Sequence, residues 1–520
     1  MTTSSLAATI HARANRSAAI ARRDMPAWLV DAVTSFLFAT SIAVLCITLI
    51  DDCRHAFIVP VLICGGLVGV DAVAWLRGRR DLLDPAGLVG VAGWHLFFAA
   101  PLLHVGIDYW IVYVEQPGDW RDWLEPMAWL NVAGLLIYFV VRAWTGRAIV
   151  SPSTAAAPQL VRVMDDQRFR RVWPAAMAVA AVLQAVVYIR FGGLSGYIVA
   201  FSEGAEQFAG YGAIFAVSET FPILFVIAAA YYAGRRSQLA SWWYVAAVLV
   251  GFVVLKFAFG GMRGSRGHFI YGLFWTLAIL HLTVRPLSRR VLIVVGAALV
   301  GFMYLYGFYK DYGSGALEAL TDTRARIGMV DGSSRTVETL LLGDLGRADV
   351  QAYLLYRLSP ECVAAHYEPC GGQTYLGTLA LFVPHSLWPD RPPTKIKAGT
   401  DAMFGPHVFE REMSSTYSYG LAGEAMLNFG PAAVPLSFVV LALAVTWLER
   451  TRRALHPTDV RRFLWPFAVS VGLMLLVWDS DVLLFYTLKE ALLPAALLWY
   501  ASRPVTTFCG VTEWLPEGAR

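Results

Sequence analysis

Charge is scarce in this chain. Asp, Glu, Lys and Arg make up 15% of 520 residues, hydrophobic residues 57%, and mean hydropathy is +0.54. A soluble domain carries about 25% charged residues, so this balance excludes one and predicts an all-α polytopic integral membrane protein. The six cysteines include no CxxC pair and no metal-ligand spacing, so neither a zinc site nor a dithiol redox motif is expected. No P-loop and no GxGxxG after a strand pattern occurs, and no basic stretch of the nucleic-acid type stands out against a net charge of +4.

Long apolar runs dominate. Segments able to cross about 30 Å of hydrocarbon fall near 27–50, 56–76, 85–104, 127–141, 172–189, 213–233, 239–259, 269–282 and 291–306, then near 432–448, 463–478 and 486–502. That gives about twelve spans. The division is a tail at 1–24, nine spans over 25–307, one large external loop at 308–430, three spans over 431–502 and a tail at 503–520. The first apolar run is too long for a signal-peptide core and lacks a small-residue cleavage pattern, so it reads as an uncleaved span.

Connecting segments alternate in charge. Arg77, Arg79 and Arg80, the stretch 142–171, Arg235 and Arg236, Arg285, Arg289 and Arg290, the stretch 450–462 and Arg503 share one side with the arginine-bearing N-terminal tail. The positive-inside rule makes that side cytoplasmic, with both termini there. No segment on that side exceeds about 30 residues, too few for a soluble nucleotide-binding domain.

Ionisable residues are expected to gather near the outer ends of spans: Glu219, Lys256, Asp479, Asp481, Lys489 and Glu490. Charge at that depth is costly and faces a cavity or a partner. The Gly-rich FGGMRGSRGHF at 259–269 places Arg263 and Arg266 where two guanidiniums could clamp an anion, since the planar fork binds phosphate oxygens bidentately. Lipid headgroups are the alternative partner for both. The connections near 105–125, with Trp110, Trp120 and Trp123, and 190–212, which is Gly-rich, read as interfacial loops.

Within the large loop, GRADVQAYLLYRL predicts an amphipathic helix with Arg347 and Asp349 at its start. PHSLWPDRPPTK sets Trp388, Asp390, Arg391 and Lys395 in a Pro-stiffened turn. EREMSSTYSYGLAGEAMLNFG then offers Glu410, Glu412, Tyr417, Tyr419, Glu424 and Asn428. Aromatics beside carboxylates and amides suit sugars, whose C–H faces stack and whose hydroxyls take hydrogen bonds. Loop packing would use the same residue types. Cys362 and Cys370 share this loop, and an external compartment predicts a disulfide between them.

The order of GSRG at a span end, Arg-x-Asp, Trp-Pro-x-Arg-Pro and Gly-x-x-Gly-Glu-x-x-x-Asn-Phe-Gly before a span resembles the bacterial oligosaccharide repeat unit polymerases, the Wzy-type family. The resemblance covers about 190–430 in detail. It implies a metal-independent glycosyltransferase without a cofactor, placed in the bacterial inner membrane. The enzyme would join undecaprenyl-diphosphate-linked oligosaccharides, donor to acceptor, on the outer face, among membrane lipids and with a chain-length regulator as an optional partner.

On that reading Arg263, Arg266 and Arg347 hold the diphosphate, with Arg391 and Lys395 as weaker contributors. Asp349, Trp388, Tyr417, Tyr419 and Asn428 meet substrate. Glu424 or Glu412 is the base, with Asp390 or Asp349 as alternatives. Three other activities stay open: a polymer ligase, a multi-span glycosyltransferase using Asp51 and Asp52, and a flippase or transporter for a lipid-linked sugar.

Overall fold

The computed structural model describes residues 26–111, 114–147, 159–203, 205–208, 210–236, 239–260, 266–312, 336–362, 366–383, 387–411, 417–508 and 511–514. The protein is an all-α polytopic membrane protein. Among the described residues, nine helices are long and apolar enough to span: α1 Ala27–Leu49, α2 Ile58–Leu76, α3 Pro85–Gly106, α4 Leu124–Arg147, α5 Asp166–Arg190, α6 Gly212–Ala233, α9 Arg289–Tyr312, α14 Ala433–Ala454 and α16 Ser480–Tyr500. Three shorter apolar helices complete the set of twelve: α7 Trp242–Ala258, α8 Arg266–Thr283 and α15 Trp465–Met474.

Helix ends follow local chemistry. Asp84 caps α3 by accepting the Gly87 N–H at 2.8 Å, with Pro85 in the first turn. Asp165 caps α5 through the N–H groups of Gln167 and Arg168. Missing side chains let α1 and α2 approach closely: a Cβ on Gly69 would lie 2.1 Å from the Ser35 hydroxyl, which instead donates to the Gly66 carbonyl at 2.8 Å.

The arginine-rich connections meet at one end of the bundle, as their alternation requires. Arg452 pairs with Asp81 at 2.5 Å, Arg289 Nε donates to the Trp75 carbonyl at 2.8 Å, and Arg450 reaches the Thr145 carbonyl at 2.6 Å. The all-α expectation needs one addition here. β1 Gln159–Met164, β2 Ser502–Phe508 and β3 Val511–Trp514 form an antiparallel sheet in that order, registered Gln159 to Thr507 and Met164 to Ser502. Val163 also bridges to Asp459, tying a third connection to the same end.

At the other end the large loop is a packed cap. It contains α10 Ala348–Arg357, α11 Gln373–Ala380, α12 Lys395–Phe404 and α13 Gly420–Phe429. Tyr353, Leu354, Met403 and Met426 are fully buried in one core with Phe98, Leu124 and Phe438 of the spans. The helix expected within 346–358 forms as α10, and it is enclosed: eight of its ten residues are buried, Asp349 and Arg357 among them.

Both interfacial loops are also corrected. Trp110 and Trp120 stack at 4.7 Å and are buried, and Gly193–Glu203 is helical, with Tyr197 inside an aromatic cluster of Phe208 and Phe215.

Candidate active site

The spans α15 and α16 are separated by a non-helical break at 475–479, and α13 docks against it. Gly420, with φ of 65°, turns the chain so closely that a Cβ would lie 2.5 Å from the Leu476 carbonyl, and Leu421 N–H donates to the Leu475 carbonyl at 3.1 Å. Asp479, completely buried in the break, accepts the N–H groups of Tyr419 at 2.8 Å and Gly420 at 2.9 Å. Lys395 Nζ completes its shell at 2.5 Å and also donates to the Tyr417 carbonyl at 2.6 Å.

Glu424 lies one helical turn further along. Its Oε1 accepts from Thr374 Oγ1 at 2.8 Å and Ser480 Oγ at 2.7 Å, and its Oε2 from the Ser480 N–H at 2.7 Å. Burial, to 2% exposure, pushes its carboxyl up to about 7. The Asp479 charge adds to the rise, while the Ser480 and Thr374 donors oppose it. A carboxyl near neutrality is half ionised at working pH, which suits a general base.

Glu424 lines a groove of about 1230 Å³ with Tyr375, Phe429, Leu436, Val440 and Trp478. Leu436 is 64% and Val440 50% exposed on the α14 face, so the groove borders the lipid-facing surface.

Arg347 lies across the break. It precedes α10 at φ 154°, a backbone state that L-residues seldom adopt and that costs of order 1–3 kcal/mol. Nη1 donates to the Gly343 carbonyl at 2.8 Å, and Nε is buried with no partner among the described residues. The guanidinium borders a cavity of about 1430 Å³ lined by Leu96, Ile270, Tyr271, Leu299, Met303 and Trp478. It also borders a narrower space of about 520 Å³ beside Asn131, Gln351 and Tyr419. Trp478 contributes to both large cavities, so the break forms part of the wall of each.

The structure thus brings Lys395, Tyr417 and Tyr419 around Asp479, Glu424 beside them with Asn428 bonded to its carbonyl, and Arg347 on the far side of the same segment. Other predicted residues are engaged within the fold. Lys395 is neutralised by Asp479. Asn428 donates to Thr374 Oγ1 at 2.7 Å and the Glu424 carbonyl at 2.8 Å, so it positions Thr374 instead of reaching into open space. Asp349 is buried, accepts the Val350 N–H and faces His104 Nε2 at 3.8 Å.

Arg391 donates to the Val383 carbonyl at 3.0 Å, and Trp388 is 43% exposed; neither lines the cavities just described. Arg263 and Glu412 lie outside the described residues, and Arg266 opens α8 with its side chain likewise outside them.

The expected disulfide is absent. Cys362 and Cys370 are free thiols: Cys362 contacts Tyr356, and Cys370 Sγ donates to Asn428 Oδ1 at 3.2 Å.

The ionisable residues expected at outer span ends are interlocked, and one goes deeper. Lys256 pairs with Glu490 at 3.3 Å, Lys489 with Glu219 at 2.5 Å, and His268 Nδ1 stands 3.6 Å from Glu490 and 3.4 Å from Lys489 Nζ. Lys489 and Glu490 therefore face other helices rather than each other. Glu490 is ten residues into α16, about 15 Å along the helix axis.

Thr374, Ser480 and Asn131 were not singled out in the sequence. Ser480 had one legible signal, its place between two aspartates at the start of an apolar run. Thr374 had none. No family model, curated protein or solved structure matches the chain.

Proposed function

We propose that the protein is a glycosyltransferase that polymerises undecaprenyl-diphosphate-linked oligosaccharides on the outer face of a bacterial inner membrane, with both termini cytoplasmic. The observation that carries this reading is Arg347, whose buried Nε–H has no partner among the described residues and stands at an open cavity of about 1430 Å³ walled by apolar residues of membrane helices. A ligand with an anionic head and a long apolar tail matches that combination: diphosphate on the guanidinium, prenyl chain among Leu96, Ile270, Leu299 and Met303.

A lipid diphosphate is already a good leaving group. The protein's task is to stabilise the charge that develops as the glycosidic bond breaks, and to accept the proton of the attacking sugar hydroxyl. Arg347 serves the first role, and Glu424, poised near neutrality on the groove across the break, serves the second. Atoms balance: the sugar leaves the donor phosphate, joins the acceptor oxygen, and the hydroxyl proton passes to the carboxylate.

The multi-span alternative built on Asp51 and Asp52 is disfavoured, because those carboxylates pair at the surface with Arg54 and Arg121, each at 3.1 Å. Transport of the same lipid-linked anion has one feature in its favour: α6 is broken at Glu219–Thr220 with Glu219 buried, and Glu490 lies deep in the bundle. Broken helices with midplane charge are characteristic of transporters. Purified protein in sealed vesicles holding undecaprenyl-diphosphate-linked oligosaccharide separates the two. Lengthened glycan supports polymerisation; passage of unaltered oligosaccharide across the bilayer supports transport.

A further inference from the structure

We propose that the arginine-rich end of the molecule holds a separate binding site for a phosphate group, in a cleft between Arg235 and Arg462. The cleft, about 890 Å³ of space open to solvent, lies where the ends of α6 and α8 meet the turn at 457–463 and the strand β1. Met164, Ala230 and Phe463 give it apolar walls, and Arg235 lies over the Tyr231 ring at 4.5 Å.

Among the described residues, charge in this cleft does not close. Arg462 donates to two carbonyls, Pro457 at 2.7 Å and Leu282 at 2.6 Å; these fix its guanidinium without neutralising it. Asp459, the carboxylate in the cleft, is taken by Arg461, whose Nε and Nη2 lie at 2.8 and 2.5 Å, and by the Arg461 N–H. Asp166 accepts from Arg235 and from the Tyr231 hydroxyl. Three arginines against two carboxylates leave one positive charge, on half-buried Arg462.

A half-buried cation without a counter-anion is costly, and an anion entering the cleft would relieve that cost. Phosphate fits best, because guanidinium forks bind its oxygens bidentately and apolar walls beside the arginines suit the glycerol and first methylenes of a phospholipid. Basic pockets between membrane helices take anionic headgroups in this way. A lipid headgroup and free inorganic phosphate share the chemistry. The site lies at the opposite end from Glu424 and does not depend on the polymerase reading.

The test is native mass spectrometry of the purified full chain with phosphatidylglycerol or phosphatidylcholine, and with inorganic phosphate as competitor. Phosphatidylglycerol should be retained over phosphatidylcholine, with affinity falling about fivefold for each arginine removed in Arg235→Gln and Arg462→Gln. Arg453→Gln, a change at an exposed arginine of the same end, should leave it unaltered. Competition by inorganic phosphate would identify phosphate alone as sufficient, and its failure to compete would identify the lipid headgroup; both uphold the site. Should Arg462→Gln fail to fold, Arg235→Gln decides alone. Equal retention of the two lipids by the wild type, wild-type retention by Arg235→Gln, or equal loss in Arg453→Gln would overturn the proposal.

Discussion

Lys395 Nζ lies 2.5 Å from Asp479 Oδ2, and both side chains are buried. This pair joins α12 of the cap to the break before α16, with the Tyr419 and Gly420 N–H groups on the other carboxylate oxygen. Removing one partner strands a buried charge. Lys395→Met or Asp479→Asn is expected to destabilise the protein by about 3–5 kcal/mol, read as a lower midpoint of thermal unfolding, with Lys395→Met/Asp479→Leu recovering part of the loss.

Glu424→Gln keeps the shape of the side chain and removes the base. Glycan transfer should fall about 10²–10⁴-fold. In the wild type the rate should rise as pH climbs through about 7, the value to which burial and Asp479 push this carboxyl from its ordinary 4.5. Stability runs the opposite way: the folded state binds the proton more tightly, so stability present below about 4.5 is lost as pH rises to about 7, on the order of 3 kcal/mol. Unfolding midpoints across pH should show this slope in the wild type and lose it in Glu424→Gln.

Cys362 and Cys370 should both react with an alkylating reagent in unfolded, non-reduced protein, because each thiol has its own partner in the fold. Intact mass after alkylation checks this. A peptide pair linked through these two cysteines would contradict it.

Much of the architecture was legible in the sequence. Twelve apolar runs became nine long and three shorter apolar helices among the described residues, and the arginine segments converge on one end because lipid insertion sorts charge by side. The β1–β2 pairing was hidden because its partners lie more than 300 residues apart, and periodicity reports only local geometry. Glu424 stood out through its Gly-Glu-Asn setting, yet its dependence on Thr374 and Ser480 did not, since a buried carboxylate recruits donors by spatial proximity. Lys395 and Arg391 looked alike as turn cations. Only packing shows that Lys395 is buried against Asp479 while Arg391 turns to a carbonyl.

We propose Arg266, in its Gly-rich surroundings, as a second guanidinium for the donor. Arg266→Ala should abolish polymer while protein still accumulates in the membrane, and Arg266→Lys should restore only part, since an ammonium lacks the bidentate fork. Immunoblot of membranes beside glycan gels checks both.

Glycan length measured on purified protein supplied with undecaprenyl-diphosphate-linked oligosaccharide, wild type beside Arg347→Ala, tests the central claim most directly. A ladder of lengthened glycans from the wild type, and single repeat units alone from a folded Arg347→Ala protein, is the predicted result. No lengthening by the wild type, or an unchanged ladder from Arg347→Ala, would contradict it.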